Sequence, residues 1–314
     1  MNLSHRIGPP QSVKRSIGLL SVAIPFFYKD SRLTYLQNTL GALPDLAEDV
    51  DVNLFTNAQS HQEVSRIQSS APPGMTLHIH RPSLLGHPYL LTWSHFPIFR
   101  HQLETREDIT HFLYLEDDIV LRSANVDYWL NARELLRGEG LIPSFIRYET
   151  DETGSNMFAT DVTKSYKLSS LPRLRKPDGT AFCNLPQNYQ GLYLLDRELA
   201  KEHFYGPTSS PDHVVGGIRE TAALGVTFLN VPQGCYSRNF IGINVGSKQI
   251  EEGCLVHHAP GNYTNDYSVG FGKIEINRVI RFDSCKFFEG GISLPLKVKF
   301  KIATGFFRHK SVLR

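Results

Sequence analysis

"FLYLEDDIVL", residues 112–121, runs apolar into Glu116, Asp117 and Asp118 and then turns apolar again. Both apolar halves read as buried strand, so the acids fall where a strand ends. In open parallel α/β sheets, ligands bind beyond the carboxyl ends of the strands. Carboxylates placed there suit Mg²⁺ or Mn²⁺, which favour oxygen ligands and keep positions open for phosphate. Three adjacent like charges repel one another unless a cation or hydrogen-bond donors relieve them. The competing reading is a solvated turn after a strand, and the triplet alone leaves both open.

The flanks supply a fold. "SIGLLSVAIPFF" is a continuous apolar run suited to a strand covered on both faces. "SRLTYLQNTLGALPDL" follows at helical spacing, "DVDVNLFTN" is a second strand, and "SHQEVSRIQSSA" a polar helix. "MTLHIHR" is a third strand, "LLTWSHFPIFRHQLET" a helix despite Pro97, and "THFLYLEDDIVL" a fourth strand. Strand and helix in alternation predict an α/β fold, with a mixed, mainly parallel sheet flanked by helices. Beyond Leu121 the reading is helix "NVDYWLNARELLRGEG", strand "IPSFIRYET", and a polar stretch from Asp151 to Pro186 expected to be a flexible loop or lid. Strand "YQGLYLLD", helix "RELAKEHF", a second helix "DHVVGGIRETAALG" and strand "VTFLNVP" come next.

Composition narrows the classes. The chain has 314 residues, 41% apolar and 20% charged, the profile of a globular protein long enough for one large α/β domain. A net charge of +2 and a pI near 8.3 argue against a dedicated nucleic-acid binder. Cys183, Cys235, Cys254 and Cys285 lie far apart, signalling neither a disulfide framework nor a zinc site and fitting a reducing, cytoplasmic setting. No run approaches the roughly 20 apolar residues that span a bilayer. The basic and then apolar N-terminus is broken by Pro25 and reads as the first strand rather than a signal peptide.

"YLEDDIVLRSANVDYW" after an N-terminal βαβ half resembles the GT-A glycosyltransferases, and among them the E-D-D motif of the inverting β-1,2-N-acetylglucosaminyltransferases. The similarity runs in outline from Ser16 to Tyr263. It implies a Rossmann-like nucleotide-diphospho-sugar transferase in one domain over 1–292, with a nucleotide-binding half at 16–121 and an acceptor half at 122–292. It also implies a nucleotide-sugar donor, a Mn²⁺ or Mg²⁺ cofactor, and a glycan or lipid-linked glycan acceptor. Asp118 would be the direct metal ligand, with Glu116 and Asp117 on the ribose or on metal-bound water. Pro25, Phe26 and Tyr28 at the end of the first strand would hold ribose or base, and Thr56 and Asn57 at the end of the second would read the base. Each of these segments also reads as a plain strand-to-helix turn. Asp212 stands in the order of the family's general base, without the flanking tryptophans, and reads equally as an N-cap after Ser-Pro; Glu220 is the second candidate base.

His257 and His258 in "CLVHHAPGNYTND" match the order of a downstream metal-closing histidine, a ligand that favours manganese. Adjacent strand residues face opposite ways, so one of the two points inward, and the sequence leaves open which. Arg147 and the basic stretch Arg173, Arg175 and Lys176 are candidates for neutralising a diphosphate, set against a solvated basic loop. The tail at 293–314 interleaves Lys297, Lys299, Lys301, Arg308, Lys310 and Arg314 with Leu296, Val298, Phe300, Ile302, Phe306 and Phe307. It reads as a basic amphipathic segment for an anionic membrane surface, against a closing edge strand. The functional expectation is a metal-dependent, inverting glycosyltransferase at work in surface polysaccharide synthesis. The alternatives are a non-catalytic nucleotide- or sugar-binding protein and a nucleotidyltransferase, the latter disfavoured by a glycine-free "AIPFFYKDSRL".

Overall fold

The computed structural model describes residues 16–186, 189–213, 216–288 and 290–303. The run LLSVAIPF shows no polar alternation because both its faces are covered: as β1 (Leu19–Phe26) it lies inside a five-stranded sheet. β2 (Asp49–Thr56) runs parallel to it on one side, followed by β3 (Leu77–His80), and β4 (Ile109–Leu115) runs parallel on the other. The connecting helices are α1 (Leu33–Ala42), α2 (His61–Gln68) and α3 (Phe96–Thr105). Ser60 and Glu63 close a capping box at the start of α2, a local signal that fixes its first turn. The fold is thus α/β, with a mainly parallel sheet flanked by helices.

Pairing of β1 with β4 ends at Ala23 and Tyr114, while pairing with β2 continues to Phe26 and Thr56. The strands on either side of β1 therefore part at their carboxyl ends, at the point where strand order reverses, and a crevice opens there. Pro25, which has no N–H to give, lies past the last residue paired with β4.

After β4 the expected long strand breaks. The acid triplet is a turn, and the chain resumes as the two-residue β5 (Ile119–Val120) before α4 (Ser123–Leu136). β6 (Ile142–Pro143) and β7 (Ile146–Thr150) follow. The stretch 151–186 is not the flexible lid expected of it. It carries β8 (Met157–Ala159), β9 (Tyr166–Lys167), β10 (Arg173–Arg175) and β11 (Ala181–Cys183). Its polar side chains are used locally: Arg173 is buried and donates to the carbonyls of Leu171 and Lys286, and Lys176 pairs with Glu139 at 2.6 Å.

β12 (Leu192–Asp196) then returns to the main sheet, antiparallel to β4. α5 (Arg197–Phe204) packs with α3 on β4 through Phe99, Phe112 and Phe204, whose ring centroids lie 5.3–5.6 Å apart. α6 (Ile218–Ala222) is shorter than expected, and "VTFLNVP" forms turns rather than a strand, with left-handed backbone at Gly225 and Asn230. β13 (Asn239–Asn244) and β14 (Gln249–Ile250) extend a second sheet in the order β10–β11–β13–β14, with β6 beside β13. β15 (Leu255–His258) and β16 (Ile274–Glu275) complete a third sheet, ordered β16–β8–β7–β15–β5. The short α7 (Ile276–Val279) and β17 (Ile280–Arg281), which pairs β9, lead to α8 (Leu296–Ala303). The first part of the basic tail is thus a helix and not an edge strand; Phe306, Phe307, Arg308, Lys310 and Arg314 lie outside the described residues. Among the described residues no helix is long and apolar enough to cross a membrane.

Candidate functional site

The acid turn is held from three sides. Glu116 N–H donates to Gly191 O ahead of β12 (2.9 Å), and Ala259 N–H beyond β15 donates to Asp118 O (2.9 Å). From α1, the Thr39 hydroxyl reaches the carbonyls of Asp117 (3.0 Å) and Ile119 (3.1 Å). Gly191 is required where it stands: its φ is +65°, and a Cβ there would fall 2.6 Å from Glu116 Oε2.

Each acid has a different partner. Glu116 accepts from the Tyr189 hydroxyl and lies 3.5 Å from Arg147 Nη1. Arg147 is itself buried, paired with Asp161 at 2.7 Å and stacked over the Tyr189 ring at 4.7 Å. Asp117 takes the two-pronged fork of Arg32, at 2.9 Å from Nε and 2.7 Å from Nη2. Asp118 Oδ2 lies 2.8 Å from Arg32 Nη2 and 3.6 Å from His258 Nε2, while its Oδ1 is buried with no hydrogen-bond partner. Burial and the charge of Asp118 push the Glu116 and Asp117 carboxyls up, against Arg147 and Arg32 respectively. Burial acts on Asp118 too, but His258 and Arg32 outweigh it and hold Asp118 well below the usual carboxylate range.

β15 settles the histidine question. His258 is buried and enters the crevice; His257 points away, half-buried against the Tyr148 ring at 5.3 Å. His258 Nδ1 lies 2.6 Å from Glu149 Oε1, and the other oxygen of Glu149 accepts from the backbone N–H groups of Tyr263 (3.0 Å) and Thr264 (2.6 Å). Burial would lower His258, but the carboxylates of Asp118 and Glu149 override it and raise the group to about 9. With a cation on the Asp118 side, Glu149 would fix the tautomer with Nδ1–H outward and the Nε2 lone pair facing Asp118.

The three acids, Arg32, Arg147, Tyr189 and His258 line a cavity of about 440 Å³ together with Pro25, Phe27, Lys29, Tyr89, Arg219, Asn262 and Tyr263. A carboxylate wall facing four positively charged side chains suits a phosphate-bearing ligand with a bridging divalent cation. Asp118 with its unpartnered oxygen and His258 fit such an ion. Among the described residues no group of three or more His, Cys, Asp and Glu side chains is arranged to hold one. Two protein ligands leave the remaining positions to phosphate oxygens and water, and the imidazole of the pair favours Mn²⁺ over Mg²⁺.

Several expected donor contacts are placed elsewhere. Pro25 lines the cavity, but Phe26 is buried in the core, and it is Phe27, one residue on, that faces the crevice. Tyr28 bonds Asp30 and packs edge-on against Phe26. Thr56 is buried and caps the Ala58 N–H, and Asn57 accepts from the Tyr28 N–H at 2.7 Å, so both brace the loops after β1 and β2 rather than line the cavity. Asp212 is exposed in a turn, its N–H donating to the Ser210 hydroxyl oxygen, and among the described residues it caps no helix, Gly217 standing at the N-cap of α6; Glu220 is paired with Arg219 at 2.8 Å. Neither lines the cavity, although Arg219 does. Arg173, Arg175 and Lys176 lie outside it as well. Arg32, Glu149, Tyr189 and Arg219 went unread in the sequence. Only Glu149 carried a signal there: Arg147 and Glu149 alternate on one face of β7, an uncommon pair of charges in a buried strand.

No family model and no curated protein matches the chain. Solved structures do match, among them CMP:2-keto-3-deoxy-manno-octonic acid synthetase complexed with CTP, at 12% identity, covering 66% of this chain and 83% of that one with a TM-score of 0.34. A TM-score this low lends that likeness no weight, and the cavity's own geometry carries the reading below.

Proposed function

We propose that this protein is a metal-dependent glycosyltransferase that binds a nucleoside-diphosphate sugar in the crevice beside β1 and β4 and passes the sugar to a glycan hydroxyl. The observation that carries the reading is Asp118, whose Oδ1 is buried and unpartnered while its Oδ2 faces a histidine oriented by Glu149. Asp118 and His258 would hold Mn²⁺ or Mg²⁺, which supplies Lewis-acid stabilisation of the leaving diphosphate when bound. Lys29, Arg147 and Arg219 add positive charge to the lining of the same cavity. Phe27 and Tyr89, both substantially exposed at the crevice, offer flat faces to a base or sugar.

Of the two candidate bases Glu220 stands nearer the cavity, in the first turn of α6 beside the cavity-lining Arg219, but it is paired with Arg219 and does not line the cavity, so neither candidate is assigned the acceptor proton. The acceptor is a glycan, lipid-linked where the basic α8 and the tail beyond it keep the protein at the inner face of an anionic membrane; Leu296 at the start of α8 is 85% exposed. A panel of nucleotide sugars with and without Mn²⁺ tests the proposal. One donor should stabilise the wild-type protein only with the ion, and Asp118→Ala should abolish the effect.

A further inference from the structure

Arg32 precedes α1 and carries more contacts to the acid turn than any other side chain described there. Its fork holds Asp117, and Nη2 also reaches Asp118 Oδ2 at 2.8 Å. That same oxygen faces His258 Nε2 at 3.6 Å. The guanidinium and the histidine assigned to the ion therefore converge on one oxygen of Asp118, the other group assigned to it. A guanidinium and a divalent ion this close repel strongly, even at an effective dielectric of about 20. Arg32 is also about one-third exposed on the cavity wall, so its guanidinium can face a ligand while the fork keeps it on Asp117.

We propose that Arg32 is the resident counter-cation of the acid turn: it cedes Asp118 to the ion and turns its charge to the donor diphosphate, remaining tethered to Asp117. The proposal rests on the ion–diphosphate reading above and adds a consequence. Arg32 weakens binding of the bare ion and strengthens binding of ion and diphosphate together, so that the ion is retained chiefly in company with a donor.

The test is a Mn²⁺ titration followed by electron paramagnetic resonance, with the thermal shift caused by Mn²⁺ plus inorganic pyrophosphate as a second readout. Arg32→Gln should bind Mn²⁺ alone about tenfold or more tighter than wild type, yet gain a smaller thermal shift from pyrophosphate. A purely structural role would lower both readouts together, and unchanged or weaker Mn²⁺ binding by folded Arg32→Gln would overturn the proposal. If Arg32→Gln does not fold, Arg32→Lys decides. A single ammonium cannot bridge both carboxylates, so a few-fold tighter Mn²⁺ binding is expected, and wild-type affinity or less would overturn the proposal. Asp118→Asn separates the two levels: if it kept wild-type Mn²⁺ affinity, the ion site itself would be wrong, whatever Arg32 does.

Discussion

At the scale of single residues, three neighbouring acids that look interchangeable in the sequence have separate environments. Glu116 belongs to Tyr189 and Arg147, Asp117 to the Arg32 fork, and Asp118 to His258. The triplet itself could be read because three carboxylates between buried strands need relief. The partner that holds Asp117 could not, since Arg32 stands 85 residues from it and nothing in "SRLTYLQ" marks it. Strand parity turns one of the two histidines inward, and the burial of His258 in the cavity wall identifies it as that one. Glu149 acts on Asp118 through that histidine. Glu149→Gln keeps the shape but loses the carboxylate that holds Nδ1–H, so Mn²⁺ affinity should fall about 10- to 100-fold while the fold persists. Calorimetric titration of Mn²⁺ alongside circular dichroism checks this, and an unchanged affinity would detach Glu149 from the site.

At the scale of elements, β1 was legible as an unbroken apolar run and the helices beside it by their spacing, with β2 to β4 set off between them. The two- and three-residue strands between 157 and 183 were not. Their polar side chains, Arg173 above all, satisfy backbone carbonyls and so imitate a loop in composition. The strand read through the acids failed for a related reason: apolar residues on both sides of a turn look continuous when β5 is only two residues long. The lead-in to β12 has one requirement that can be tested. Gly191→Ala places a side chain at φ +65° and 2.6 Å from Glu116 Oε2, so Glu116 or Arg147 must move. Left-handed backbone at a non-glycine residue costs about 1–2 kcal/mol, and urea unfolding should show at least that loss. Wild-type stability would mean that the β12 lead-in yields more easily than its contacts imply.

At the scale of the whole molecule, the core beneath the main sheet buries two neutral histidines. His95 is placed between Thr92 O (2.9 Å) and the Tyr193 hydroxyl (2.6 Å), and His203 lies beside it with Nδ1 on Thr208. Burial, reinforced by His203, drives His95 well below its ordinary value, and burial alone takes His203 to about 3. An unfolded histidine titrates near 6.5. The stability tied to these groups is therefore fully present above pH 6.5 and is lost as pH falls towards their folded values. His203 should contribute about 2 kcal/mol of loss between pH 7 and pH 5, with His95 acting in the same direction. Urea unfolding at both pH values should show a shallower loss for His203→Phe, and an equal slope would count against the neutral buried imidazole.

The crevice is itself a feature of the whole molecule, lined from β1, the turn after β4, Arg32 ahead of α1, β7 and β15, which come from both halves of the chain. The most direct measurement is the identity of the nucleotide released when the protein is incubated with nucleotide sugars and a divalent ion. One nucleotide sugar should yield its nucleoside diphosphate in an ion-dependent reaction that Asp118→Ala abolishes. Pyrophosphate released from a nucleoside triphosphate, with no diphosphate released from any nucleotide sugar, would contradict the account.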